Sequence, residues 1–217
     1  MPVITGLEAH QRDKESVRLT LDDEYTLDLP LIEAARLSRG QTLTNSEVDQ
    51  LADAGRLQNA YDLALRFLSY RPRSAEEVRR HLVKKKVADS QIAEALERLR
   101  QRGYVDDLEF ARFWIANRSR FKPMGSRALK YELRQKGVDG DIIDALVAEV
   151  DEEASAFRAA QSRISRYRGS ARLAFRHKLS VMLRRRGFGE YAIRDVVLRL
   201  QLELEERDPG YFQDDAD

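Results

Sequence analysis

The sequence predicts a mainly α-helical chain, with three tandem three-helix repeats forming an elongated, curved body behind a small N-terminal antiparallel β-sheet and helix. Three observations carry this expectation. Apolar residues alternate at period two only within the first 30 positions, helical apolar spacing takes over afterwards, and the later chain resembles itself at a period of about 50 residues.

The alternation runs through Val17, Leu19 and Leu21 and again through Tyr25, Leu27 and Leu29, so Asp22-Asp23-Glu24 is the turn of a hairpin. Val3 to Ala9 adds a third strand, separated from the second by the polar stretch Gln11 to Glu15. A sheet this small is marginal alone and needs a helix on its apolar face, for which Pro30 to Leu37 is the nearest candidate. Gly40 ends that segment, and Thr44 with Glu47 forms a capping-box pattern that opens a longer helix. Along it Val48, Leu51, Leu57, Tyr61, Leu65 and Leu68 fall mostly on helical spacing, with Gly55 as a weak point.

The repeat is visible when Leu82, Leu133 and Leu183, which lie 51 and 50 apart, are taken as anchors. Equivalent positions hold Val78, Leu129 and Leu179 before the anchor, then Val87, Val138 and Phe188, and Ile92, Ile143 and Ile193 after it. Leu96, Val147 and Val197 follow, and then Leu99, Val150 and Leu200. Any amphipathic helices match at some register, but these also share a junction. A basic residue (Lys85, Lys136, Arg186) precedes Gly137 and Gly187, with Lys86 in the first copy, and an apolar residue comes next. Glycine past the last turn is the usual left-handed helix stop, and cations in that turn suit the negative end of the helix dipole. The expected organisation is a β-sheet and helix extension over 1–44, a linking helix and first repeat over 45–102, a second repeat over 103–152, a third over 153–202, and an acidic, disordered tail over 203–217.

Composition removes several function classes. No run is long and apolar enough for a membrane span, and Met1 to His10 lacks the layout of a signal peptide, so a cytoplasmic protein is expected. With zero Cys and three scattered His, neither a disulfide framework nor a metal site is foreseen, and no cofactor. Phosphate-loop, nucleophile-elbow, HExxH and GxGxxG patterns are all missing, so catalysis is not expected. Asp106 and Asp141 are read as helix caps, and His81 and His177 as surface histidines.

Charge is the informative property. Residues 1–62 carry 6 Lys+Arg against 12 Asp+Glu, residues 63–200 carry 31 against 18, and residues 201–217 carry 1 against 7. A basic body between acidic ends suits a polyanion such as single- or double-stranded DNA, with the tail screening the body when nothing is bound. The candidate DNA-binding residues are Arg71, Arg73, Lys84, Lys85, Lys86, Arg118, Arg120, Lys122, Arg127, Lys130, Lys136, Arg184, Arg185 and Arg186. A further basic run spans Arg163 to Arg168, and Tyr70, Tyr104, Trp114, Phe121, Tyr131 and Tyr167 lie beside these clusters. Trp114 and Phe110 share a helical face and are read as core.

Several segments resemble the RecX family of bacterial RecA regulators. Tyr70-Arg71-Pro72-Arg73-Ser74 with Glu77-Val78 is similar to that family's first-repeat opening, and Gly103-Tyr104-Val105-Asp106-Asp107 with Phe110-Ala111 to its second-repeat entry. The most specific match is Lys122-Pro123-Met124-Gly125 leading to Tyr131-Glu132-Leu133-Arg134-Gln135-Lys136-Gly137-Val138, and Arg185-Arg186-Gly187-Phe188 resembles the third junction. The resemblance covers about residues 60–200; Lys86 departs from it where Gly is usual, and the N-terminal strands look like an extension found in some members. It implies a non-catalytic protein that binds the RecA nucleoprotein filament in its groove and inhibits recombinase activity; a monomer is expected. Two other classes stay open on the residues alone: a helix-turn-helix transcriptional repressor and a helical adaptor that touches only protein.

Overall fold

The computed structural model of the chain describes residues 1–9 and 16–213; the polar stretch between the first two strands and the last four residues of the expected tail lie outside that range. Ile4–Ala9 (β1), Ser16–Leu21 (β2) and Tyr25–Pro30 (β3) form an antiparallel sheet in the order β1-β2-β3. The period-two pattern sets the register, with Val17 opposite Leu29 and Leu19 opposite Leu27, so Ile4, Leu19, Leu21 and Leu29 share one buried face. In the hairpin turn Asp22 and Asp23 both take left-handed backbone, φ 50° and 59°, which aspartate tolerates better than most residues. The turn is tied to β1, because the Val3 N–H donates to Asp22 Oδ1 at 2.8 Å and the Asp23 N–H donates to Thr5 Oγ1 at 3.0 Å.

The helix after β3 is only Leu31–Ala34 (α1), shorter than Pro30 to Leu37. The sheet's apolar face closes mainly on Leu43 and on Val48 and Leu51 of Asn45–Leu68 (α2). Gly55 is where that helix presses on the sheet: a Cβ there would lie 2.2 Å from the Asp28 carbonyl oxygen, so the apparent weak point is a close-approach site. The capping box opening α2 is complete, with the Glu47 N–H donating to Thr44 Oγ1 at 3.2 Å and the Thr44 N–H to Glu47 Oε2 at 2.7 Å.

The remainder is helical: Ala75–Lys84 (α3), Asp89–Gln101 (α4), Asp107–Phe121 (α5), Ser126–Gln135 (α6), Gly140–Ala148 (α7), Glu152–Gln161 (α8), Arg172–Arg185 (α9) and Glu190–Arg207 (α10). The chain divides into two compact units, Met1–Val105 and Asp106–Asp217. The first holds the sheet and a helical core in which Tyr61 and Ala64 of α2 meet Val78, Leu82, Ile92 and Leu99. The second holds two further cores, one of α5, α6 and α7 around Phe110, Leu133 and Ile143, the other of α8, α9 and α10 around Phe175, Leu183 and Ile193. The anchors Leu82, Leu133 and Leu183 are all fully buried, and Val87 is the half-buried exception in its column beside Val138 and Phe188. Asp106 caps α5, whereas α7 starts at Gly140 with Asp139 as its cap, leaving Asp141 in the first turn.

The three middle helices end the same way. At the first stop the Val87 N–H reaches the Leu82 carbonyl and the Lys86 N–H the Val83 carbonyl; Val138 to Leu133 with Gly137 to Arg134, and Phe188 to Leu183 with Gly187 to Arg184, repeat the pattern. The backbone angle φ is 61° at Lys86, 75° at Gly137 and 81° at Gly187. Lys86 thus departs from glycine in sequence but not in conformation, at a cost of about 1–2 kcal/mol for a left-handed L-residue.

Within the second unit the two repeats meet through their stops. The Gly125 N–H donates to the Arg186 carbonyl at 2.9 Å, and Glu152 Oε1 accepts from the Ser126 N–H at 3.0 Å and the Gly189 N–H at 3.2 Å, so one carboxylate serves the starts of α6 and α10.

The expectation of a disordered tail is corrected over residues 203–213. Helix α10 continues to Arg207, and after Asp208-Pro209-Gly210 the chain folds back so that Tyr211 and Phe212 are buried on Phe175, with Phe175 and Phe212 ring centroids 5.1 Å apart. The Tyr211 hydroxyl donates to the Ile164 carbonyl, and the Gly169 N–H donates to the Tyr211 carbonyl at 2.9 Å. Two aromatic side chains outweigh the acidity of the segment around them.

Candidate nucleic-acid interface

The left-handed stop after each middle helix ends the chain's run along the helix axis and leaves the last-turn cations at the unit's surface. After α3 this exposes Lys84, Lys85 and Lys86, none of which has a carboxylate within ion-pair distance among the described residues. The triple arginine after α9 looks equivalent in sequence but is divided by the fold. Arg184 is clamped on Glu190 by two hydrogen bonds of 2.7 and 3.0 Å, which raise the arginine's pKa and lower the carboxylate's. Arg185 is exposed without such a partner, and Arg186 is half-buried. Burial, and then the neighbouring Arg163 charge, push the Arg186 pKa down.

In the second repeat Trp114 organises the cations. Its indole N–H donates to Glu132 Oε2 at 2.8 Å, Arg118 Nε donates to the same oxygen at 2.7 Å, and the Arg118 guanidinium and Lys136 ammonium lie 4.3 and 4.8 Å from the ring centroid. Phe110 is core as expected, while Trp114 is a half-buried ring with cations on it. Lys130 pairs with Asp144 at 2.7 Å, holding that carboxyl below its usual range, and Arg120 lies 5.0 Å from the exposed Phe121 ring. Lys122 and Arg127 are exposed with no ion-pair partner among the described residues.

At the entry to the first repeat Arg71 makes a two-point pair with Glu77, at 3.1 and 2.9 Å. Arg73 lies 4.0 Å over the Phe67 ring, whose other neighbour is the His81 imidazole, stacked at 4.0 Å and 3°. His81 is therefore half-buried rather than a surface histidine, and its pKa is lowered by burial, then by Lys85, Arg73 and Lys84. Burial also lowers the Arg73 pKa.

The fourteen candidates thus sort into those neutralised by a carboxylate (Arg71, Arg118, Lys130, Arg184), those held on rings (Arg73, Arg120, Lys136), the half-buried Arg186, Arg127 within electrostatic reach of Glu190, and a free set of Lys84, Lys85, Lys86, Lys122 and Arg185. Free cations, with the exposed Tyr70, Tyr104, Phe121 and Tyr131, match what a nucleic-acid strand needs: charge for phosphates and faces for bases. Arg163 and Lys178 fall outside the candidate set although the fold gathers them with Arg186; the run from Arg163 to Arg168 is the sequence signal that pointed there. Among the described residues there is no cluster able to hold a metal ion, and no helix long and apolar enough to cross a membrane.

Comparison with known proteins agrees with this architecture. The model for the first three-helix domain of RecX matches residues 60–99, and that for the second three-helix domain matches residues 106–146. Regulatory protein RecX of Chlorobium phaeobacteroides (strain BS1) is 37% identical over 140 residues, covering 64% of this chain and 92% of that protein. Regulatory protein RecX of Bacillus subtilis (strain 168) is 27% identical over 211 residues, 95% of this chain and 80% of the relative. A crystal structure of regulatory protein RecX superposes with a TM-score of 0.73 at 23% identity, over 90% of this chain and 98% of that one. RecX from Lactobacillus salivarius gives 0.60 at 24%, over 68% and 97%; both share the fold. Two successive family domains in order, and a relative matched along nearly its whole length, establish that the chain belongs to the RecX family of regulatory proteins.

Proposed function

We propose that the chain is a non-catalytic modulator of the RecA recombinase that lies in the groove of the RecA nucleoprotein filament, touches DNA phosphates with the free cations near its repeat ends, and lowers recombinase activity, ATP hydrolysis and filament extension. Membership of the RecX family of regulatory proteins supports the RecA partner. The observation that supports the DNA contact is the set of exposed cations Lys84, Lys85, Lys86, Lys122 and Arg185, none with a carboxylate in ion-pair distance among the described residues. Serial repeats each contributing a modest contact bind a polymer multivalently, so a cytoplasmic monomer can hold several protomers and the DNA together. The test is to add the purified chain to preformed RecA filaments on single-stranded DNA and follow ATPase activity and filament length together. Both are expected to fall; if neither changes, the reading is wrong. Sequence-selective duplex binding without any recombinase would indicate a repressor instead.

A further inference from the structure

The connection from α8 to α9 passes through a short 3₁₀ turn, Ile164–Tyr167. This turn and the outer face of α9 enclose an open groove of about 630 Å³ whose ionisable lining is Arg163, Arg166, His177, Lys178, Arg185 and Arg186, together with Tyr167. His177 and Arg185, and Lys178 and the cap residue Arg186, lie eight residues apart with Val181 and Met182 midway, so one helical face presents them as a row. Among the described residues no carboxylate lines the groove. The neighbouring arginines do have acids: Arg168 pairs with Asp208, Arg172 with Glu205 and Arg184 with Glu190. Among the described residues Arg163, Arg166, Lys178, Arg185 and Arg186 have none within ion-pair distance. Among the described residues the local acids are thus taken by the arginines around the groove and none compensates the groove itself, with Arg163 and Arg186 both half-buried.

Partly desolvated like charges without a counter-ion are costly, and an entering anion removes the cost. The half-buried apolar neighbours Val181 and Met182 lower the local dielectric and strengthen any such attraction. We infer that this groove on the third repeat is a binding site for vicinal phosphates, with Arg163 and Arg186 as its inner contacts and Arg166, Lys178 and Arg185 as its rim. Consecutive phosphates are the ligand chemistry that matches several guanidinium and ammonium donors gathered in one concave site. Two sources supply it, a nucleic-acid strand and a free polyphosphate chain.

The experiment compares the full chain with the Arg163→Gln/Arg186→Gln variant, and uses Arg98→Gln/Arg112→Gln, two surface arginines each paired with a neighbouring glutamate, as a control outside the groove. Thermal unfolding is followed with and without inorganic tripolyphosphate, and binding of a fluorescent oligo-dT strand is titrated over salt. Tripolyphosphate is expected to raise the melting temperature of the wild type and of the control but not of the groove variant, whose own melting temperature in the absence of ligand is at or above wild type. That second readout shows that the variant folds. If the strand is the source, the slope of log affinity against log salt is also shallower in the groove variant, by about 0.7 for each phosphate it no longer neutralises. An unchanged slope with the tripolyphosphate shift abolished assigns the groove to free polyphosphate. A groove variant that keeps both the shift and the slope overturns the site, whatever the chain does to RecA.

Discussion

Gly125 and Gly187 meet backbone to backbone across the two repeats of the second unit, and neither has room for a side chain. A Cβ on Gly125 would lie 2.3 Å from the Gly187 carbonyl oxygen, and one on Gly187 would lie 2.5 Å from the Ala128 Cβ. Gly125→Ala is expected to destabilise the chain by about 1–3 kcal/mol through this overlap. A urea denaturation midpoint equal to wild type would show that the two repeats do not depend on this close approach.

The first stop invites the opposite change. Lys86 has φ 61°, the conformation that glycine adopts at the equivalent Gly137 and Gly187. Relief of left-handed strain, less the extra entropy of an unfolded glycine, leaves Lys86→Gly more stable by about 0.5–1 kcal/mol. Differential scanning calorimetry should record a small rise in melting temperature, and a fall would mean that the lysine side chain supplies an interaction worth more than the strain.

Acid should weaken the first repeat at Glu76. Hydrogen bonds from Arg79 and then Arg80 pull its pKa down to about 2, against the opposing effect of burial. Because the folded value lies below the unfolded one of about 4.3, the stabilisation is complete above the unfolded value and is lost as pH falls towards the folded one. Both arginines are about half exposed, so solvent screening reduces the contribution to about 1 kcal/mol. Glu76→Gln should be less stable than wild type at pH 7 by that amount and equal to it near pH 2, as read from denaturant midpoints across the range.

Free and clamped cations should behave differently towards DNA. Neutralising Lys84 and Lys85 together is expected to flatten the salt dependence of single-strand binding by about 0.7 for each phosphate that those lysines neutralise in the wild type. Arg184→Gln, which removes a guanidinium already held by Glu190, should change the slope much less. Equal effects from the two variants would show that the Arg184 pair opens on binding.

Phe212 is part of the third core, so Phe212→Ala is expected to cost about 3 kcal/mol. Deleting residues 203–217 would unseat that core, and any change in DNA affinity would then reflect a damaged fold. Screening by the acidic end is better tested by substituting Asp214, Asp215 and Asp217 with Asn at low salt, where tighter DNA binding is the expected result.

Periodicity carried most of the fold in the sequence. The alternation at Val17, Leu19 and Leu21 placed a strand, and the spaced columns through Leu82, Leu133 and Leu183 placed the helical units, because burial on one face is a local property of spacing. Pairings between distant residues were not local and left no such trace. Whether Arg118 is available depends on Glu132, fourteen positions away, and whether the end of the chain packs depends on Phe175, far upstream of Phe212. The candidate site was legible as a composition of charge, while its division into free, clamped and ring-held cations required coordinates. Gly55 misled for a related reason: a missing side chain scores as a flaw in an isolated helix, and only the neighbouring strand makes it necessary.

The clasp of Tyr211 and Phe212 on Phe175 also sets an order of events during synthesis. A ribosome moving at about 5–20 residues per second reaches Phe212 roughly 2–7 seconds after Phe175, and until then the third repeat lacks part of its aromatic interior. The sheet and the first helical core lie within Met1–Val105, whereas the second repeat waits for Arg186 and Gly187 and the third for Phe212, so the second unit is the part most exposed to proteases or premature association while translation finishes.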